Sequence, residues 1–570
     1  MKNVFFWLLV SAMVLVVAAC NTETPSENTN ASSINPVLTD QPNILWLVVE
    51  DLSPYLPMFG DSTVETPNLS RLAAEGVCYD YFFSPAAVCA PARSAIATGL
   101  YPTHLKSNHM RTGPWFTDTI NKTLMQNYSK FIPDDIVPYE ATPAPEVKMM
   151  SEYLRRAGYY CTNNAKRDYQ FISPVTAWDE NNRQAHFRNR KEGQPFFAIF
   201  NFEVTHESRI WAKAEDSLWV DEDLAVEVPP YLPDTDIGQQ DVRRMYSNIK
   251  EMDVQIGRIL DQLEKDSLLE NTIVFWYSDH GGPLPRQKRL LYDSGIHVPL
   301  IIRYPQKQFA GQRDSQLLSF VDLAPTTLSL AGIEPLEHMD GRSFLGKHKD
   351  NDEKNYVFAA ADRFDELYDA NRAVRDRRYK YIRYYNPEKP MLLRVQYRDQ
   401  MPIMQELHRL NEAEELTEEQ AFWFRKQKPE AEFFDTWNDP HELKNLIDDP
   451  KYQAKIEELR TACEAWMKEM EDDPLRPEQE LVNEMWGKME QPITAMPDIQ
   501  KQADGIALTC STEGASIGYK FIQKGSDPAF SHWQVYTKPF ELEEDKELVV
   551  KAHRIGYRAS DVVRFEVISK

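Results

Sequence analysis

Between residues 43 and 331, short continuous apolar runs alternate with segments of helical period. Residues 43–49, 196–202, 272–277 and 297–303 are apolar almost throughout, without the in–out alternation of a half-solvated strand. Strands buried on both faces read this way, so these runs predict a mostly parallel sheet sandwiched by helices, an α/β fold. In residues 241–265, Val242, Met245, Ile249, Met252, Ile256, Ile259 and Leu263 recur near the helical period, which predicts a long helix with one buried stripe. Residues 151–157 and 322–331 predict shorter helices.

Three of the apolar runs end in polar residues: the first in Glu50-Asp51, the second in Thr205-His206, the third in Asp279-His280-Gly281-Gly282. Ligands of open α/β sheets gather beyond the carboxyl ends of strands. The three ends therefore predict one shared site, and with it an enzyme.

After about residue 355 the texture changes. Residues 378–383 predict a short strand, 451–470 a charged helix, and 473–497, with scattered Pro and Met, a wrapping strap or linker. From about residue 504, Ile517, Tyr519 and Phe521 alternate with other residues between turn signals at Gly514, Gly525-Ser526-Asp527-Pro528 and Gly556, which predicts a small β-sandwich. The expected divisions are 1–20, 21–40, 41–350, 351–497 and 498–570.

The first twenty residues read as an address. Lys2 precedes an apolar stretch too short to span a bilayer comfortably, which ends in Val17-Ala18-Ala19-Cys20. This resembles a bacterial lipobox, and the resemblance implies cleavage before Cys20, acylation (palmitate) of its thiol, and a lipoprotein held at the cell envelope. Residues 21–40, rich in Thr, Ser, Asn, Pro and Glu, read as a flexible tether.

Charge narrows the partners. With 64 Lys+Arg against 88 Asp+Glu, the net charge of −24 argues against nucleic acid and against a broad polyanion-binding face. An anionic substrate must then meet a local basic pocket. Among the six cysteines, Cys78, Cys161, Cys463 and Cys510 show no metal-type spacing and read as ordinary thiols.

Cys89-Ala90-Pro91-Ala92-Arg93 opens a predicted helix, where the dipole and free N–H groups favour anions. The run resembles the C-x-P-x-R signature of type I sulfatases, in which the cysteine is oxidised to formylglycine. The likeness runs from about residue 42 to about residue 446, where EFFDTWNDPHELKNL resembles the family's C-terminal pattern. It is strongest toward bacterial polysaccharide sulfatases of the heparan N-sulfatase-like kind. It implies the alkaline-phosphatase-like sulfatase fold with a smaller C-terminal subdomain. The terminal segment resembles the β-sandwich of chitobiase and hexosaminidase-type enzymes.

Residue by residue, the resemblance implies Glu50, Asp51, Asp279, His280 and the oxidised Cys89 as metal ligands. The family more often has Asp-Asp at the first pair and Asn at the last position, which leaves calcium as the expected ion with manganese or another divalent ion open. One hydroxyl of the hydrated aldehyde would attack sulfur, and loss of the other's proton would eject sulfate. Arg93 would hold the formylglycine, Lys166 and Lys288 the sulfate, and His206 would protonate the leaving oxygen. Where the family has a second histidine, two residues past the Lys166 position, this chain has Asp168, which could accept hydrogen bonds from a sugar. His109 and Arg111 are candidates for a substrate-binding rim.

The implied function is a sulfatase acting on a sulfated saccharide of algal ulvan or glycosaminoglycan type. Its implied partner is a formylglycine-generating or anaerobic sulfatase-maturating enzyme. A phosphonate or phosphodiester hydrolase of the same superfamily, and a non-catalytic glycan-binding lipoprotein, stay open as alternatives.

Overall fold

An eight-stranded mixed sheet forms the centre of the structure, a computed structural model that describes residues 34–113, 136–503, 505–526, 532–543 and 545–566. Its strands are β1 (Asn43–Val49), β2 (Val77–Phe83), β3 (Tyr160–Asn164), β4 (Glu180–Asn181), β5 (Phe196–Phe202), β6 (Thr272–Ser278), β7 (Leu300–Arg303) and β8 (Gln312–Ser319). They lie in the order β4-β3-β5-β1-β6-β7-β2-β8. The first five in that order are mutually parallel. β7 runs antiparallel to both neighbours, and β2 pairs in parallel with β8. Two reversals cancel, so β2 points the same way as β1. The carboxyl ends of β3, β5, β1, β6 and β2 thus share one edge.

The absence of alternation in these strands has a direct cause. Along β1, Ile44, Trp46 and Val48 enter one hydrophobic core while Leu45, Leu47 and Val49 enter another. The second core is closed by the helix Asp236–Lys265, which starts a turn and a half before the predicted residue 241 because Thr235 caps it: its hydroxyl accepts from the Gly238 N–H at 3.3 Å. The predicted run 297–303 forms a strand only over Leu300–Arg303.

A second, antiparallel sheet has the order β12-β11-β10-β9, with β9 Val357–Ala361, β10 Asn371–Arg375, β11 Tyr379–Tyr384 and β12 Ala431–Asp435. Its Ala359, Ala361, Ala373 and Ile382 pack with Ala86, Ala87, Val88 and Ala90, so this sheet braces the loop that presents Cys89.

The helix Gln453–Glu469 follows, and the segment expected to be a linker contains another helix, Glu478–Trp486. The last two sheets, of two and four strands, share a core of Ile506, Leu508, Leu548 and Val550. In the strand Ser516–Gln523, Ile517, Tyr519 and Phe521 line that core. The opposite face is buried as well: Lys148 donates to Ser516 Oγ at 3.2 Å, and a side chain at Gly518 would meet Val175 at 2.9 Å. The polar half of the alternation therefore faces the half of the chain that builds the large sheet rather than water. The predicted leader, Cys20 and most of the tether lie outside the described residues. No helix among the described residues is long and apolar enough to cross a membrane.

Candidate active site

Every motif residue predicted at a strand end arrives at the same edge of the large sheet. β2 delivers the chain to the helix Cys89–Thr98, whose first residue is Cys89, only 2% exposed. β1 and β6 are in register to their ends, and the Asp279 N–H donates to the Val49 carbonyl at 3.0 Å, which sets Glu50-Asp51 beside Asp279-His280. Asp51 has φ 49°, the left-handed region that costs a non-glycine residue energy and clusters at functional sites.

Cys89 Sγ lies 3.2 Å from His280 Nε2. That nitrogen is also 3.1 Å from Asp51 Oδ1 and 3.6 Å from Asp279 Oδ1. His280 Nδ1 donates to the Gly281 carbonyl at 3.0 Å, which turns Nε2 toward the carboxylates. Burial opposes a charged imidazole here, yet Asp279 and Asp51 outweigh it and push His280 well above the usual histidine range. The same nest holds Asp51 well below the usual carboxylate range: burial works against this, and Lys288, His206 and His280 overcome it. Burial also raises the Cys89 thiol, so an unmodified cysteine here would be a poor nucleophile.

This nest fits a divalent cation. Asp51, Asp279, His280 and Cys89 each turn a donor atom inward within 4.8 Å of one another, and Glu50 and His206 form an overlapping group with Asp51 and Cys89. Glu50 Oε1 and Asp51 Oδ1 are buried and held by ion pairs alone, with Lys166 and His280 Nε2 each at 3.1 Å but not aligned as hydrogen-bond donors. Buried carboxylate oxygens without an aligned donor are what an ion would satisfy.

Cations surround the nest. Arg93 donates to Asp279 Oδ2 from Nε at 3.0 Å and to Asn201 Oδ1 from Nη1 at 2.7 Å. Lys166 reaches both oxygens of Glu50, at 3.1 and 3.2 Å, with Asp168 at 3.8 Å. Burial raises the Asp168 carboxyl against the pull of Lys166 and Arg93. Lys288 bridges Asp51 at 2.8 Å and Glu207 at 3.1 Å. His206 is half-buried, its Nε2 3.5 Å from Lys288 and 3.9 Å from Glu50, and its protonated form is disfavoured by burial and then by Lys288.

Several participants went unread in the sequence. Glu207 takes a bidentate pair from Arg289 at 2.8 and 2.9 Å, and its own N–H donates to Asp51 Oδ2 at 2.7 Å. Arg289 continues to Asp365 at 2.6 Å, and Asp365 also pairs with Arg111. Asn201 anchors Arg93 and donates to Asn163 Oδ1 at 2.9 Å. An amide interrupting the apolar run of β5 was a readable signal; nothing local marks Asp365 as a partner of Arg289.

Of the two rim candidates, Arg111 joins the site's charged network, pairing with Asp365 and setting its guanidinium 5.1 Å over the Tyr397 ring. His109 does not face the site. Its imidazole is 3% exposed, with Nδ1 3.9 Å from Glu478 and accepting from the Arg363 N–H at 3.4 Å. The Arg363–Glu478 ion pair, which ties the late helix Glu478–Trp486 to the core, draws it inward.

Comparison with known proteins follows this geometry. Residues 42–333 match the family described as Sulfatase, and residues 286–420 match N-sulphoglucosamine sulphohydrolase, C-terminal. An "Ulvan-active sulfatase" of Formosa agariphila is 47% identical over 562 residues, covering 92% of this chain and 91% of the relative. Human "N-sulphoglucosamine sulphohydrolase" is 24% identical, covering 75% of this chain and 90% of the relative. A structure solved with its substrate D-glucosamine-2-N,6-O-disulfate shares the fold at TM-score 0.51 and 18% identity, covering 77% of this chain and all of that one. The family model takes in every strand of the large sheet and the near-full-length relative covers the remainder, so this chain belongs to the sulfatases, the sulfuric ester hydrolases.

Proposed function

We propose that this protein is an envelope-anchored polysaccharide sulfatase that removes sulfate from an ulvan-type or glycosaminoglycan chain. The observation that carries the reading is the convergence of Arg93, Lys166, Lys288 and His206 around Cys89, in a chain nearly half identical to an ulvan-active relative. The same identity weighs against a non-catalytic glycan binder.

Sulfatase chemistry rests on a formylglycine and a divalent metal, and the residues around Cys89 fit both. When present, the oxidised Cys89 supplies the nucleophilic hydroxyl and the ion supplies positive charge for a sulfate oxygen. Glu50, Asp51, Asp279 and His280 would hold the ion. Calcium is our assignment, since oxygen donors dominate the set. Lys166 and Lys288 hold the sulfate oxyanion by charge-assisted hydrogen bonds. Arg93 fixes Asp279 and the floor beneath Cys89. His206, neutral in this setting, gives its Nε2 proton to the leaving sugar oxygen. Asp168 and Arg111 contact the saccharide.

The maturating enzyme and the lipid anchor on Cys20 belong to the proposal on sequence grounds alone. Cys20→Ala is expected to move the protein from the membrane fraction to the soluble fraction.

The test measures sulfate release from ulvan and from glycosaminoglycans beside turnover of matched aryl phosphonate and phosphodiester, with mass spectrometry of the Cys89 peptide. Polysaccharide desulfation with a peptide lighter by about 18 Da supports the reading; oxygen-adding oxidation would instead raise the mass. Dominant phosphonate or diester turnover overturns it. Chelation is expected to abolish activity and calcium to restore it; full activity in a metal-free preparation, verified by elemental analysis, would remove the ion from the proposal.

A further inference from the structure

His206 is held by a short hydrogen-bonded relay that the reaction as described does not use. Its Nδ1 accepts from the Ser208 backbone N–H at 3.2 Å and lies 2.8 Å from the Ser208 hydroxyl. That hydroxyl also lies within reach of the phenol of Tyr397. The Tyr397 ring stands 6.4 Å from the imidazole, and Trp211 meets Tyr397 edge-on at 5.1 Å. Tyr397 comes from the segment after the second sheet's β11, far along the chain from His206.

A backbone N–H can only donate, so Nδ1 is obliged to accept, and the neutral ring carries its hydrogen on Nε2. The Lys288 ammonium, 3.5 Å from Nε2, is a weak competitor, because it is already committed to Asp51 at 2.8 Å and Glu207 at 3.1 Å. A donor on Nε2 facing the pocket is what protonation of a leaving alkoxide requires. We infer that the side chains of Ser208 and Tyr397 are positioning groups that hold the orientation of the His206 ring, whose tautomer the Ser208 backbone N–H sets, for proton donation to the leaving oxygen. In the polarised order, the Tyr397 O–H donates to Ser208 Oγ, whose O–H donates to His206 Nδ1. Neither residue touches the sulfate.

This inference rests on the sulfatase reading, and leaving-group dependence separates the two. A nitrophenolate departs without a proton, whereas a sugar alkoxide needs one. Ser208→Ala, Ser208→Thr and Tyr397→Phe are assayed on nitrophenyl sulfate and on sulfate esters of progressively less acidic alcohols, ending with a sulfated saccharide. Ser208→Ala is expected to lower kcat on the saccharide at least about tenfold more than on nitrophenyl sulfate. Tyr397→Phe is expected to give a smaller bias in the same direction, and Ser208→Thr, which keeps the hydroxyl, to recover most of the loss. In a His206→Ala background, Ser208→Ala should add nothing further. Equal losses across the series, or additive losses with His206→Ala, overturn the positioning role, as a folding defect would lower every substrate alike. An active wild type with those results sinks only this inference; a wild type that releases no sulfate sinks the reading beneath it.

Discussion

The two lysines proposed to hold the sulfate have similar partners and different burial. Lys166, with 20% of its side chain exposed, leans on Glu50 and Asp168 in a half-buried pocket wall. Lys288, at 4%, is the buried middle of an alternating series running Asp51, Lys288, Glu207, Arg289, Asp365, Arg111. Charge in water is cheap to rearrange, whereas charge in the interior must be paired to be tolerated at all. The Lys166 flank is therefore free to adapt to substrate, and the Lys288 flank is a rigid rail that fixes Asp51 and the base of the site.

The largest effect should come from breaking the rail. Arg289→Met leaves Glu207 with Lys288 alone and Asp365 with Arg111 alone, breaking the buried series at its centre at a cost of about 3–5 kcal/mol. We expect a marked fall in melting temperature together with loss of activity, read by thermal unfolding and sulfate release. A variant with wild-type melting would show that the rail is catalytic decoration rather than scaffold.

Acid sharpens the same contrast. Burial raises the Glu207 carboxyl, but Arg289 and Lys288 dominate and bring it down to about 2. A glutamate lowered in the folded state stabilises fully above its unfolded value of roughly 4.5, and that contribution disappears as pH falls from there toward 2. Melting temperature should drop across this window in wild type. The Lys166 flank should add little to the slope, and Lys166→Ala should show the same acid profile as wild type.

Lys166→Ala itself should leave the fold intact and lower kcat/KM about 100-fold, near 2.7 kcal/mol of transition-state stabilisation. Unchanged melting with this loss is the signature of an adaptable flank. A melting change as large as that of Arg289→Met would erase the distinction between the two sides.

The contrast also explains what the sequence made legible. Glu50, Asp51, Asp279 and His280 follow apolar runs directly, so strand ends alone predicted their meeting. The rail depends on Asp365, which no local pattern links to Arg289, and on Glu207, whose role comes from burial rather than from its place beside His206. His109 misled for the same reason: its neighbours in sequence lead toward the site, while Glu478, more than 300 residues later, draws its ring inward. The sandwich was readable as alternation, but not the fact that its polar face docks on Lys148. Local period reports which faces are buried, and against what only when the partner is nearby in sequence.

The smallest expected effect lies at Asp168, the carboxylate on the adaptable flank. It stands 3.8 Å from Lys166 and 4.0 Å from Arg93, with Oδ1 buried and accepting no hydrogen bond from any described donor. A negative group so close to a bound sulfate weakens anion binding unless a substrate hydroxyl repays it with a hydrogen bond. Asp168→Asn should therefore act in opposite directions on two substrates. On nitrophenyl sulfate, which offers no hydroxyl, KM should fall a few-fold as repulsion is removed. On the sulfated polysaccharide, kcat/KM should fall about tenfold, near 1.4 kcal/mol, the size of one hydrogen bond to a charged acceptor. Steady-state kinetics on both substrates decides it, since a carboxylate that merely props Lys166 would change both in the same direction.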